Sequence, residues 1–318
     1  MASFLGEKKY SLLIIIAAIN WGTLGIFVRS LKAYGFTTIE ISSLRYIFSA
    51  FAVLIIGAIS EKKNLKVELK DIWKLAFLGV VSTMGTSILY LLCMQMTSAA
   101  VSNVLMYTAP IWIMLYSVIF FKRKLSRLSA MCIVLVFVGS ILVSGVIGEE
   151  NTGYSVWGIM IGLISGIVYG SYTIMGRIIS KKYNSVTVMI YSCIFAGIGS
   201  LFFINVKNVA GAIAQKPSCI WSAVALSLIC TVVPYGLYNI ALSKISGFKA
   251  AVICTAEPIT ATVVSALVLK EKMSLIQFAG IVILICTIVL INTVPEKVKQ
   301  KSSETAEQKE LETQHTKA

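Results

Sequence analysis

Apolar residues in this chain fall in long unbroken blocks, such as "SLLIIIAAIN" over 11–20, with short polar breaks between them. Many blocks approach the ~20 residues that carry a helix across the hydrocarbon core of a bilayer. Ten such blocks predict ten helical spans, near 10–29, 39–59, 72–93, 98–121, 128–147, 154–176, 186–206, 220–241, 248–269 and 275–293. A membrane β-barrel would instead alternate apolar and polar residues over ~10-residue segments. The stretch that begins "PEKVKQKSSETAEQKE" at 295 changes character. It is polar and alternates in charge, so a solvated, disordered cytoplasmic tail is expected over 295–318.

Composition agrees with a polytopic all-α membrane protein. Of the 318 residues, 57% are hydrophobic and 13% charged, and the mean hydropathy is +0.86. Soluble domains average about 25% charged residues. A net charge of +14 invites a nucleic-acid reading. The basic residues, however, sit in short loops, where membrane topology accounts for them and no nucleic-acid partner is needed. With the N-terminus inside, the inner segments carry 18 Lys and Arg against 6 in the outer loops. The positive-inside rule then places both termini in the cytoplasm and the protein in the cell membrane. Lys8 and Lys9 precede the first block without an A-x-A-like cleavage site after it, so a retained span is expected there. The seven cysteines show no CxxC spacing. The single histidine, His315, lies in the tail, and no G-x-x-x-x-G-K-[ST] loop occurs. No cofactor, metal site, ATP-driven step or enzymatic activity is therefore expected.

The chain also repeats itself. A shift of 148 residues lays "YTAPIWIMLYSVIFFKRKLS" (107–126) on "TAEPITATVVSALVLKEKMS" (255–274), pairing Pro110 with Pro258 and Ser117 with Ser265. The same shift pairs Tyr90 with Tyr238 and "WGTLGIFVR" (21–29) with "YGSYTIMGR" (169–177). Each half, 10–147 and 154–293, holds five spans. Five is odd, so the halves enter the membrane from opposite sides, a frequent construction among secondary transporters. The basic "FKRKLSR" faces inward in this scheme, and its counterpart "LKEKMSL" faces outward.

These stretches, with the Trp-Gly of the first span, "LRYIFSA" in the second and "AEPITATVVSALVLKEKMSLIQFAG" in the ninth and tenth, resemble the EamA family of the drug/metabolite transporter superfamily. The resemblance covers about 10–293. It implies ten helices in two repeats, a central cavity and movement of small metabolites. One departure is Arg123, a position where that family often carries an acid corresponding to Glu271.

Chemistry is concentrated in few places. Glu257 lies near the middle of span nine, where an ionised acid costs roughly 2.5–3.5 kcal/mol on insertion scales. Pro258 beside it removes a backbone donor and frees nearby carbonyls. Glu257 is expected to bind a substrate cation or a coupling proton; the alternative is a neutral acid bonded to a neighbouring helix. Pro110 and Pro258 are expected to act as hinges. Arg45 in span two could meet a substrate carboxylate, snorkel outward or pair with Glu40. Trp21 and Tyr169, related by the repeat, lie near mid-span. With Asn20, Tyr107, Tyr235 and Tyr238 they are candidates for a cavity wall, the alternative being aromatic packing between helices. Thr83, Ser87 and Tyr90 share a face of span three, as Thr231, Tyr235 and Tyr238 do in span eight. Gly158, Gly162, Gly166 and Gly170 form a small-residue ridge for close helix contact. The leading expectation is a secondary carrier, in the exporting direction, for a small organic metabolite such as an amino acid or amphipathic solute. The alternative is a lipid-handling or scaffolding membrane protein.

Overall fold

A computed structural model describes residues 2–59, 65–121, 126–147, 153–268, 270 and 272–293. The expected tail over 295–318 lies outside these residues, as do Lys62, Lys63, Lys122, Arg123, Lys124 and Glu271. The described residues form helices without strands. In chain order these are α1 (Ala2–Gly22), α2 (Leu24–Ala33), α3 (Thr38–Ile59), α4 (Leu69–Ala76), α5 (Thr86–Met96), α6 (Ala99–Met106), α7 (Ala109–Phe121), α8 (Arg127–Ser144), α9 (Val156–Ile179), α10 (Ser185–Ser200), α11 (Val206–Gln215), α12 (Cys219–Ser227), α13 (Val233–Leu242), α14 (Gly247–Ile253), α15 (Ala256–Val268) and α16 (Leu275–Thr293). Wide π-helical turns, Phe77–Gly85 and Leu228–Val232, join α4 to α5 and α12 to α13.

Nine helical segments among the described residues are long and apolar enough to cross a membrane. The seventh expected span is the exception. It ends at Ser200 rather than 206, leaving the 16-residue α10, about 24 Å at 1.5 Å per residue. Apolarity does not mark that end, because Leu201 and Phe202 follow, both exposed. The stop comes from tight turns over 198–203 and from Asn205, whose side chain caps α11 by accepting from the Asn208 N–H at 3.2 Å.

Packing follows the repeat. Span two lies on span seven (α3 on α10), and span five on span ten (α8 on α16). Span one packs on spans eight and nine (α1 on α13 and α15), and its counterpart, span six, packs on spans three and four (α9 on α5, α6 and α7). Exchanging the two halves therefore maps the arrangement onto itself. The glycine ridge serves the span-six contacts: a Cβ added at Gly158 or Gly162 would come within 2.8 Å of Met96 or 2.5 Å of Leu105. Loops sort onto two faces. On the N-terminal face Lys249 meets Glu7 at 3.0 Å and Lys182 meets Asp71 at 2.6 Å. On the far face the Tyr34 hydroxyl meets Ser218 at 3.4 Å and the Gln277 amide reaches the Val143 carbonyl at 3.4 Å.

Candidate functional site

Three spans are broken at about the same depth. Span one stops at Gly22 and restarts at Leu24, span four breaks at Tyr107–Thr108, and span nine at Cys254–Thr255. The last two breaks are repeat-related and fall just ahead of Pro110 and Pro258. Proline has no N–H to offer an upstream carbonyl but fits the first turn of a new helix, where that N–H would be unpaired anyway. Span six, the counterpart of span one, runs unbroken as α9. The three breaks meet around Glu257. A Cβ on Gly22 would come within 2.9 Å of the Glu257 carbonyl oxygen and 2.5 Å of Thr260. The Tyr107 side chain lies beside the Glu257 carboxyl. Glu257 itself occupies the first turn of α15, where the positive end of the helix dipole favours a carboxylate.

Glu257 sits at the floor of a cavity of about 500 Å³. Trp21, Arg45, Tyr107, Tyr169, Tyr235 and Pro258 line it too. From that floor it rises between α6 and α15 to Lys272, Met273 and Gln277 on the far face. Toward the N-terminal face it is sealed. Beneath the floor, Tyr172, Tyr238, Ile113, Phe248 and Ile253 belong to one buried cluster. Trp21 serves both as wall and as packing, meeting Tyr235 edge-on at 5.4 Å and Tyr238 at 5.6 Å.

Arg45 is 9% exposed. Its Nε donates to the Thr231 hydroxyl at 2.6 Å and its Nη2 to the Cys230 carbonyl at 2.6 Å. The expected alternative, a pair with Glu40, is not formed. Glu40 instead closes a capping box at the start of α3. It accepts from the Thr37 N–H at 2.8 Å, while its own N–H donates to the Thr37 hydroxyl at 3.2 Å. It also accepts from the Asn208 amide. The T-x-x-E spacing of Thr37 and Glu40 is the sequence signal for this.

Three further expectations are corrected. Asn20 does not line the cavity; its amide folds back to the Ile16 carbonyl at 2.8 Å. Tyr238 is buried below the floor, its hydroxyl 2.8 Å from that of Thr173. Thr231 likewise faces Arg45 rather than the cavity. Pro110 is not in the lining, whereas Pro258 is. Lining residues the sequence did not single out include Tyr46, whose hydroxyl bonds Ser87, and Asn103, which accepts from Tyr90 at 3.1 Å.

A helical bundle with apolar outer faces, two related halves and a solute-sized cavity between them defines a multi-pass membrane protein of the transporter type. The profile of the EamA-like transporter family matches residues 8–145 and again 156–293. The chain belongs to this family. Among its relatives are proteins described as an uncharacterized transporter of Archaeoglobus fulgidus (24% identical, covering 84% of this chain and 90% of that one) and the uncharacterized transporter YwfM of Bacillus subtilis (24%; 93% and 97%). Another is the uncharacterized inner membrane transporter YicL of Salmonella typhimurium (22%; 90% and 95%). A solved crystal structure superposes with a TM-score of 0.72 at 14% identity, covering 89% of this chain and 96% of its own. That likeness concerns the fold alone.

Proposed function

We propose that the protein is a secondary carrier that moves a small organic solute across the cytoplasmic membrane, in the exporting direction, by alternating access around the Glu257 cavity. The observation that carries this reading is the cavity itself, open to one face, sealed to the other and floored by a carboxyl where three helix breaks meet. Discontinuous helices at mid-depth commonly place solute and coupling-ion sites in such proteins. With both termini in the cytoplasm, the open mouth faces outward. In this reading Trp21, Tyr107, Tyr169 and Tyr235 hold the apolar body of the solute and Glu257 carries the coupling proton. Pro110 and Pro258 are the hinges, and the partners are a small solute and the bilayer. The test is flux in proteoliposomes loaded with a broad metabolite panel. Counterflow of at least one solute, lost on blocking the cavity, is the expected result. Movement of lipid without movement of any solute would favour a lipid-handling protein instead.

A further inference from the structure

Arg45 poses an electrostatic problem that the fold solves only in part. A buried charge is costly unless it is paired. The other cation buried among the described residues, Lys249, has its acid: Glu7 lies 3.0 Å away. No carboxylate among the described residues lies within 4 Å of the Arg45 guanidinium, although Glu257 is near enough to act on it through space. Two neutral acceptors hold it, a hydroxyl and a carbonyl, and the guanidinium lies over the Tyr46 ring, 5.2 Å from its centroid. A guanidinium has five N–H donors, and two are engaged. The remaining edge belongs to a cavity-lining side chain.

The carbonyl that holds Arg45 is made available by a proline. In a regular helix the Cys230 carbonyl would accept from the N–H of residue 234. That residue is Pro234, which has none. The wide turn over Leu228–Val232 immediately precedes it. Arg45 Nη2 takes the carbonyl, and the neighbouring Thr231 hydroxyl takes Nε. The repeat isolates this device. A shift of 148 residues carries Arg45 to Cys193 and Pro234 to Thr86, so the other half has neither the cation nor the missing donor. Packing alone is satisfied there without them.

We infer that Arg45 is the oxyanion-recognition group of the cavity, that the transported solute carries a carboxylate or phosphate-like group, and that Pro234 and Thr231 are the residues that position the guanidinium for it. This rests on the carrier reading and narrows its solute class. A planar guanidinium edge matches a two-oxygen acceptor, and the nearby rings of Trp21, Tyr107, Tyr169 and Tyr235 suit an apolar or aromatic body. A solute oxyanion beside Glu257 also requires that Glu257 carry a proton or meet a cationic group of the solute, because two close carboxylates disfavour joint ionisation.

Four probes with one body test this: benzoate, phenylphosphonate, benzylamine and benzyl alcohol, each titrated into the full-length protein in lipid nanodiscs. Both anions should bind more tightly than benzyl alcohol. Arg45→Gln should reduce benzoate to the level of benzyl alcohol. Pro234→Ala returns an N–H to the Cys230 carbonyl, and Thr231→Val removes the other acceptor. Each should weaken benzoate about tenfold, the worth of a hydrogen bond to a charged group, and leave benzylamine unchanged. That selectivity shift would not follow from general destabilisation. Equal affinity for benzoate and benzyl alcohol in the parent protein, or an Arg45→Gln variant that keeps its preference for anions, overturns the assignment. Should Arg45→Gln not fold, the two positioning variants decide, and unchanged benzoate affinity in both overturns it. Failure of the carrier reading would look different: anions would bind as described, with no probe crossing the bilayer of proteoliposomes.

Discussion

Among the described residues that line the cavity Glu257 is the one acid, and Arg45 and Lys272 are the basic side chains. If Glu257 carries the coupling proton, Glu257→Gln should abolish pH-driven uptake in proteoliposomes while solute-for-solute exchange continues. Uptake that keeps its pH dependence in this variant would remove Glu257 from the coupling step. The groups that surround it are Arg45, Tyr90, Tyr107, Tyr169, Cys230 and Cys254. Glu257 and Arg45 were legible in the sequence because a charge inside an apolar block is rare and expensive. Asn20 and Tyr238 depart from the expected cavity wall because polarity does not say where a side chain points. One satisfies its own helix, and the other bonds Thr173 beneath the floor. The role of Pro234 is not legible in the sequence, because it lies in a carbonyl four residues back and in an arginine 185 positions before that carbonyl.

At the scale of elements, the span-six ridge makes a strict demand on sequence. Gly162 lies where a Cβ would overlap Leu105 and the Cys93 sulfur at 2.5 and 2.7 Å. Gly162→Ala should therefore destabilise the protein by about 1–3 kcal/mol, the usual cost of overpacking, read as a lowered thermal midpoint in detergent. An unchanged midpoint would mean that α9 can shift away from α5 and α6 without loss. A second element-level staple joins the loop after α9 to the start of α4, where Lys182 bridges Glu68 and Asp71, both at 2.6 Å. Hydrogen bonds from Lys182 and then Lys70 hold Glu68 below its ordinary value of 4.5. Asp71 and then Glu68 hold Lys182 above its ordinary 10.5. The acid's contribution is present above 4.5 and fades as pH falls through its folded value. The lysine's contribution is present below 10.5 and fades as pH rises through its folded value. Lys182→Met should lower the thermal midpoint between pH 4.5 and 10.5 and leave it nearly unchanged at the acid and alkaline extremes, by a small amount because Lys182 and Glu68 are exposed. An unchanged midpoint inside that window would show the bridge to be energetically silent. Nine of the spans could be read from hydropathy, though not the early end of the seventh, and the glycine ridge from its spacing. The breaks could not be placed, because apolar residues continue through Tyr107 and Cys254. Only the prolines two to four residues downstream hinted at them.

The whole molecule is two-fold in plan but not in state. Its outer surface suits a bilayer, with Trp73 exposed toward the N-terminal face and Trp157 and Trp221 exposed toward the far one, the placement of interfacial anchors. The repeat, and with it the plan, was readable from one ungapped shift. The direction of opening was not, since two related halves support either conformation and the choice rests on small energy differences. Symmetry nevertheless identifies the missing conformation. On the sealed side α7 packs on α14, with Ile113 3.6 Å from a Cβ placed on Gly247. Shifting by 148 residues turns this contact into Ala261 against Ala99, on α15 and α6, and both residues now line opposite walls of the open cavity. The alternate conformation should bring them together and part Ile113 from Gly247. The double variant Ala99→Cys/Ala261→Cys should then form a disulfide under mild oxidation of the reconstituted protein, since closure brings the two Cα atoms into the ~4.4–6.8 Å that a disulfide requires. Mass spectrometry would report the bond and flux its consequence: transport stops on oxidation and returns on reduction. A double variant that transports normally yet never cross-links would show that closure uses other surfaces, and one that cross-links without loss of flux would show that α6 and α15 need not part for transport.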